Sequence, residues 1–364
     1  MKTIYNAYHG AHAATHEFFR GRLVPAFEAP SRADFVLQAV KAAALGPVLA
    51  PVDHGALPLA RVHAAPYLNF VENAWSEWQA LGGEGDAFPA VWPVRGLRSD
   101  VIPRSFAARM GLYSMDSGTP LTAGSWQAAY WGAQATLTGL DLLLAGERSA
   151  YVLTRPPGHH AAADFFGGYC FINNAAVAAQ AALDAGQMQI AGQSVPVRRV
   201  AILDVDYHHG NGTQAIFYDR ADVFYASVHG DPQTEFPFFL GHADECGAGA
   251  GLGFNANYPL PAGASNAAWF AALEAALLRL QAYQPDLLIV SLGVDTYIND
   301  PISHFLLDKP EFTRLGQTLA ALHLPTLWLQ EGGYATEALG HNVVAVLQGF
   351  QDIQDAQSVQ SRPA

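Results

Sequence analysis

Asp204, Asp206 and His208 stand at every second position of the segment DVDYHHGNG. Side chains alternate along an extended chain, so the three share one face, and a carboxylate and an imidazole two residues apart can grip one metal ion. Asp295, beyond another apolar run, would be the third ligand and leave a position open for water and substrate. A set of Asp, His and Asp without sulfur suits zinc, and also Fe(II) or Co(II). Taken alone, an Asp/His pair that only steadies a turn fits the same letters. The tandem His159–His160 in RPPGHHAAADFFGGYCFINN offers a general base and a neighbouring proton relay. Asp204 and Asn211 are the candidate acceptors that would orient those rings. In EGGY, Gly332 and Gly333 let the backbone turn so that the Tyr334 hydroxyl can face the metal and stabilise an oxyanion. The combination reads as metal-assisted amide hydrolysis, in which the metal polarises the carbonyl and brings the pKa of its water to roughly 7. His160 would take the proton, and the histidine pair would return one to the leaving amine.

These residues need a scaffold that brings them together. Short apolar runs at 150–154, 198–206, 222–228, 286–293 and 325–330 alternate with helical patterns at 124–145, 173–185, 266–283, 309–321 and 337–350. Strands apolar on both faces and separated by helices predict an α/β fold: one domain, an open, mostly parallel sheet, helices on both faces. Four polar clusters fall just past the ends of predicted strands, the edge where open α/β sheets build their sites. The segment 187–197 reads as a surface excursion. Residues 351–364, polar and aperiodic, read as a flexible tail, which leaves 1–350 as the catalytic domain.

The bulk composition narrows the class. Nineteen Lys and Arg against thirty-two Asp and Glu give a net charge of -13, without the basic footprint that nucleic acid or an anionic membrane surface would need. An acidic mouth would gather a cationic substrate, although many soluble proteins are simply acidic. Cys170 and Cys246 have neither metal nor redox spacing, so a reduced, cytoplasmic setting is expected. The first residues carry no apolar core or cleavage site of a signal peptide, and no apolar stretch is long enough to span a bilayer.

RPPGHH, GGYCFINN, DVDYHHGNGTQ, SLGVD and EGGY resemble the signature segments of histone deacetylase-type enzymes of the arginase–deacetylase superfamily. GRLVPAFEAPSRADFVLQAVK, VHAAPYLNF, FYASVHGDP and DPISHF resemble more narrowly the bacterial acetylpolyamine amidohydrolases, and the likeness runs over about 1–350. The resemblance implies the arginase–deacetylase fold and zinc on Asp206, His208 and Asp295. It also implies His160 as base, His159 as its partner and Tyr334 as the residue that polarises the carbonyl. Tyr169, Phe236, Asp116, Ile302, Gly332 and Gly333 would form the substrate tunnel. Structural potassium would sit on Asp204, Asp206, His208, Ser227 and Val228, and a second ion near Phe217, Arg220 and Val223. The same resemblance implies a homodimer shaped by an entrance loop at about 83–118, and deacetylation of N-acetylated small amines.

Two positions depart from that branch. Gly118 stands where an acidic residue would hold a distal ammonium, with Asp116 nearby as a replacement, and Ile302 is not acidic at the gate. A protein lysine deacetylase, or a hydrolase of another small amide, is therefore the alternative. A two-metal arginase-like site is disfavoured because His209 and Gly210 follow His208, where that chemistry needs a further carboxylate. A non-catalytic sensor would not need both a base and an oxyanion donor. His9, His12, His16 and Glu17 read as a solvated turn near the entrance.

Overall fold

The computed structural model describes residues 1–360, with side chains through residue 356. Its strands in chain order are β1 (Lys2–Tyr5), β2 (His16–Phe19), β3 (Arg22–Pro25), β4 (Val48–Leu49), β5 (Ser149–Leu153) and β6 (Gln187–Ile190). They continue with β7 (Gln193–Pro196), β8 (Val200–Asp204), β9 (Val223–Gly230), β10 (Asn255–Leu260), β11 (Leu287–Leu292) and β12 (Thr326–Gln330). Eight of them form one sheet in the order β10-β9-β8-β11-β12-β5-β1-β4, with every neighbouring pair parallel. β2–β3 and β6–β7 are separate antiparallel hairpins.

Alternation sorts the sheet's side chains between two cores. Ala201, Leu203, Leu288, Val290 and Trp328 point to one face, where Trp269, Leu273, Leu277 and Leu280 of the helix Asn266–Tyr283 cover them. Val200, Ile202, Leu287, Ile289 and Leu327 point to the other, against the helices Ser125–Leu144 and Asn174–Ala185. Strands buried on both faces must be apolar throughout, which is why they read as continuous runs rather than alternating ones. Caps fix where helices begin: the side chains of Asn173 and Ser265 accept the amides of Ala176 and Ala268, and Asp308 with Glu311 forms a capping box.

The end of the chain differs from expectation. Residues 351–360 are not a loose tail but continue the helix Thr336–Gln360. Ile353 packs on the core one turn after Phe350, Gln354 is buried with its amide oxygen accepting from Ser149 Oγ at 3.2 Å, and Gln351 Oε1 accepts from the terminal ammonium at 3.1 Å. Residues 361–364 lie outside the described residues. The excursion at 187–197 is the hairpin β6–β7. Among the described residues, no helix is long and apolar enough to cross a membrane.

Candidate active site

β8, β11, β12 and β5 are neighbours, so their C-terminal ends open onto one edge of the sheet. β8 delivers Asp204, Asp206 and His208; β11 delivers Asp295; β12 delivers Glu331 to Tyr334; β5 leads into His159 and His160. The backbone amide of Tyr207 donates to Asp295 Oδ1 at 2.9 Å and that of Gly332 donates to Asp206 Oδ2 at 2.8 Å, so the three segments are tied to one another. A side chain at Gly332 would not fit, because its Cβ would fall 2.5 Å from Asp206 Oδ2 and 2.6 Å from Asp295 Oδ2.

One ligand atom from each of Asp206, His208 and Asp295 lies within 4.8 Å of the other two, and all three residues are buried. His208 Nδ1 is 3.3 Å from Asp206 Oδ1 and 3.0 Å from Asp295 Oδ2. The partners of both carboxylates are backbone amides and imidazoles, with no Lys or Arg among their ion pairs. Two buried carboxylates and an imidazole converging in this way are a donor set that fits a divalent cation.

The His159 and His160 rings lie with centres 4.1 Å apart, tilted 46° to one another, and have different partners. His159 Nδ1 is 2.9 Å from Asp204 Oδ2, which also accepts from the Tyr225 hydroxyl at 3.1 Å. Burial works against the His159 imidazolium, but Asp204 and Asp206 outweigh it and raise its pKa to about 10. His160 Nδ1 is 2.7 Å from Asn211 Oδ1. Burial, reinforced by His159 and His208, holds His160 well below the usual imidazole range. It is therefore neutral, with its proton on the nitrogen facing Asn211 and a lone pair on the other.

These groups open into a pocket of about 900 Å³ whose wall includes His160, His208, Asn211 and Tyr334. Phe236 meets His160 edge to face at 5.0 Å, and Tyr169 meets Tyr334 at 5.6 Å. Asp116 and Ile302 also lie on the wall. Gly332 and Gly333, expected in the tunnel, do not, because they are turned inward: the Gly332 amide faces Asp206, and the Gly333 carbonyl accepts from Arg32 Nε at 2.6 Å. The Asp116 carboxylate is fully engaged, accepting from the amides of Gly118 and Gly168 and from the Thr119 hydroxyl. Ser227 and Val228 lie in β9, where Ser227 Oγ is 2.7 Å from His229 Nδ1, and Arg220 N donates to Phe217 O just before Val223 opens that strand.

The first residues are also rearranged relative to expectation. His9 and His12 are buried, His12 Nδ1 lying 2.9 Å from Ser125 Oγ; only His16 is exposed. Glu17 is buried in the pocket wall, accepting from the Tyr169 hydroxyl at 2.7 Å and from Phe27 N at 3.0 Å. Arg32 and Asp300 stand in segments that carry the resemblance, but neither was assigned a role from the sequence. Arg32 lies on the helix Ser31–Ala42, places its guanidinium 4.6 Å from the Tyr334 ring centre, and is neutralised by Glu28. Asp300 Oδ2 accepts from Tyr334 N at 2.7 Å.

The histone deacetylase domain model matches residues 26–350. The chain is 54% identical over 353 residues to acetylpolyamine amidohydrolase 2 of Pseudomonas aeruginosa, covering 97% of this chain and 99% of that one. It is 47% identical to the acetylpolyamine amidohydrolase of Mycoplana ramosa, covering 96% and 99%. The crystal structure of the acetylpolyamine aminohydrolase from Burkholderia pseudomallei is similar with a TM-score of 0.90 at 40% identity, covering 97% of this chain and 99% of that one.

Proposed function

The chain belongs to the histone deacetylase domain family, and from that membership we propose that it hydrolyses N-acetylated small amines, acetylpolyamines or acetylated diamines, to acetate and free amine. The observation that carries the reading is the convergence of Asp206, His208 and Asp295 at a pocket that His160 and Tyr334 also line. Zinc held by those three residues would supply Lewis-acid polarisation of the amide carbonyl and activation of water. His160 is the base: Asn211 fixes its ring and its low basicity keeps a lone pair free at neutral pH. His159, held as an imidazolium by Asp204, supports the proton transfer to the leaving amine. Tyr334 donates its hydroxyl to the developing oxyanion, its backbone amide held by Asp300 and its ring covered by Arg32. Tyr169 and Phe236 flank the chain of the substrate amine.

Potassium at the oxygen-rich positions around Asp204, Asp206, His208, Ser227 and Val228, and around Phe217, Arg220 and Val223, belongs to the same reading as a structural ion. So do a cytoplasmic location and a homodimer. The segment 83–118 exposes Val91, Val94, Leu97, Val101 and Ile102 together, a composition that favours burial against a second copy.

The alternative, acetyl-lysine in a protein, draws support from Gly118 and from the Asp116 carboxylate already being engaged. Acetate release by the zinc-loaded protein separates the two. The panel contains acetylputrescine, acetylcadaverine, acetylspermidines and an acetyl-lysine peptide, each at low and high salt. Faster turnover of the free amines, weakening with salt, is expected. Preference for the peptide would overturn the small-amine assignment, and no release from any amide would overturn the hydrolase reading.

A further inference from the structure

The four residues that follow β12 tie it to three parts of the site through their backbone. The Gly332 amide holds Asp206, the Tyr334 amide is held by Asp300, and the carbonyls of Glu331 and Gly333 are both held by Arg32. The Glu331 side chain makes a fourth connection. It is buried, and its Oε2 accepts two consecutive backbone amides, Gly158 at 2.6 Å and His159 at 3.2 Å. Its Oε1 has no hydrogen-bond partner, and one of its carboxylate oxygens lies within 4.8 Å of ligand atoms of His159 and Cys170. Burying a carboxylate with one oxygen unpaired is costly, and the two amides that the other oxygen accepts are what offset that cost.

We propose that Glu331 is a positioning residue for the tandem histidines, clamping the backbone of Gly158 and His159 so that both rings meet their acceptors. The clamp acts at the residue before His160 and joins the histidine loop to the β12 turn that carries Tyr334. Base and oxyanion donor are thereby held in one rigid unit, although 173 residues separate Gly158 from Glu331. Without the clamp, the two amides would have to find other acceptors. The loop would shift, and a displacement of about 1 Å at a base can cost about 10²-fold in rate.

The inference rests on the amidohydrolase reading only for its kinetic test, and three substitutions distinguish position from charge. Glu331→Gln keeps an oxygen at the clamp and removes the charge. Glu331→Asp keeps the charge and withdraws the oxygen by one methylene, and Glu331→Ala removes both. With zinc content matched, kcat is expected to fall about 10²-fold in Glu331→Ala, and nearly as far in Glu331→Asp, at unchanged KM. Glu331→Gln should recover to within about tenfold of the parent. Backbone hydrogen exchange over residues 155–160 gives a readout without substrate: faster in the Ala and Asp variants, parental in Gln. If Glu331→Asp outperforms Glu331→Gln in both assays, or if all three match the parent, the proposal is wrong. A parent protein inactive on every amide would overturn the hydrolase reading and leave the exchange comparison to decide the clamp. If Glu331→Ala does not fold, the order of Gln and Asp carries the test.

Discussion

The two ends of the pocket are built by different means. At the inner end, Asp204, Asp206, His208 and Asp295 follow adjacent parallel strands, and the carboxylate or ring of each meets a fixed partner within 3.3 Å. At the mouth, Phe18, Phe238 and Phe239 come from a hairpin and a loop and stand 40%, 47% and 87% exposed. Register between strands places an atom to within a fraction of an ångström, whereas a loop is placed by its own contacts. Chemistry that tolerates no error is set by the sheet, and the choice of amine is left to segments that can vary without disturbing it.

That contrast can be broken from either end. The largest effect is expected at the ligands: His208→Ala or Asp295→Ala should abolish metal binding, read by elemental analysis, and with it all turnover. Retention of stoichiometric metal by either variant would dissolve the inner end as described. Tyr334→Phe should keep its metal while turnover falls by roughly 10²–10³. Full activity in that variant would remove the oxyanion role.

At the mouth the effects are smaller. Asp116→Asn places an amide against the backbone donors that its carboxylate now serves, so kcat/KM should fall by a similar factor for charged and neutral amides. A loss confined to acetylated diamines would restore Asp116 as an ammonium anchor. Glu17 gives the smallest effect and the most defined sign. Burial raises its pKa from 4.5 to about 7 against the opposing bonds from Tyr169 and Phe27. The unfolded chain therefore loses this proton first, and folding stability falls as pH rises from 4.5 through about 7. Glu17→Gln should accordingly melt higher than the parent above pH 7, by about 2 °C, with the gain vanishing near pH 4. A gain largest in acid would reverse the assignment.

The sequence was most informative where one strand carries its own pattern. The alternation in DVDYHH and the apolar runs at β5, β8, β9, β11 and β12 announce themselves locally. β1, β4 and β10 do not, being short or interrupted by polar letters, as in NANYPL. The site residues that escaped notice act across long separations. Arg32 grips carbonyls about 300 residues away, and Glu28, between Arg32 and Arg155, looks like any helix-leading acid until the fold closes. His12 and Glu17 seemed solvated because the helix Ser125–Leu144 and Tyr169, which bury them, are distant in the chain. The last turns of the final helix, past residue 350, were missed because its buried face continues through Ile353 and Gln354, between residues that are polar on every other side.

The hairpin β6–β7 offers a point of attachment. Its two ends are paired at Gln187 and Pro196, Val197 N closes it onto Gly186 O, and the chain then enters β8 at the end remote from Asp204. Gln189, Ser194 and the turn at Ala191–Gly192 face outward, while Met188 and Val197 remain in the core. A fluorescent reporter or a surface tether spliced between residues 190 and 193 would ride on a base whose geometry is already closed, with the sheet between it and the reacting groups.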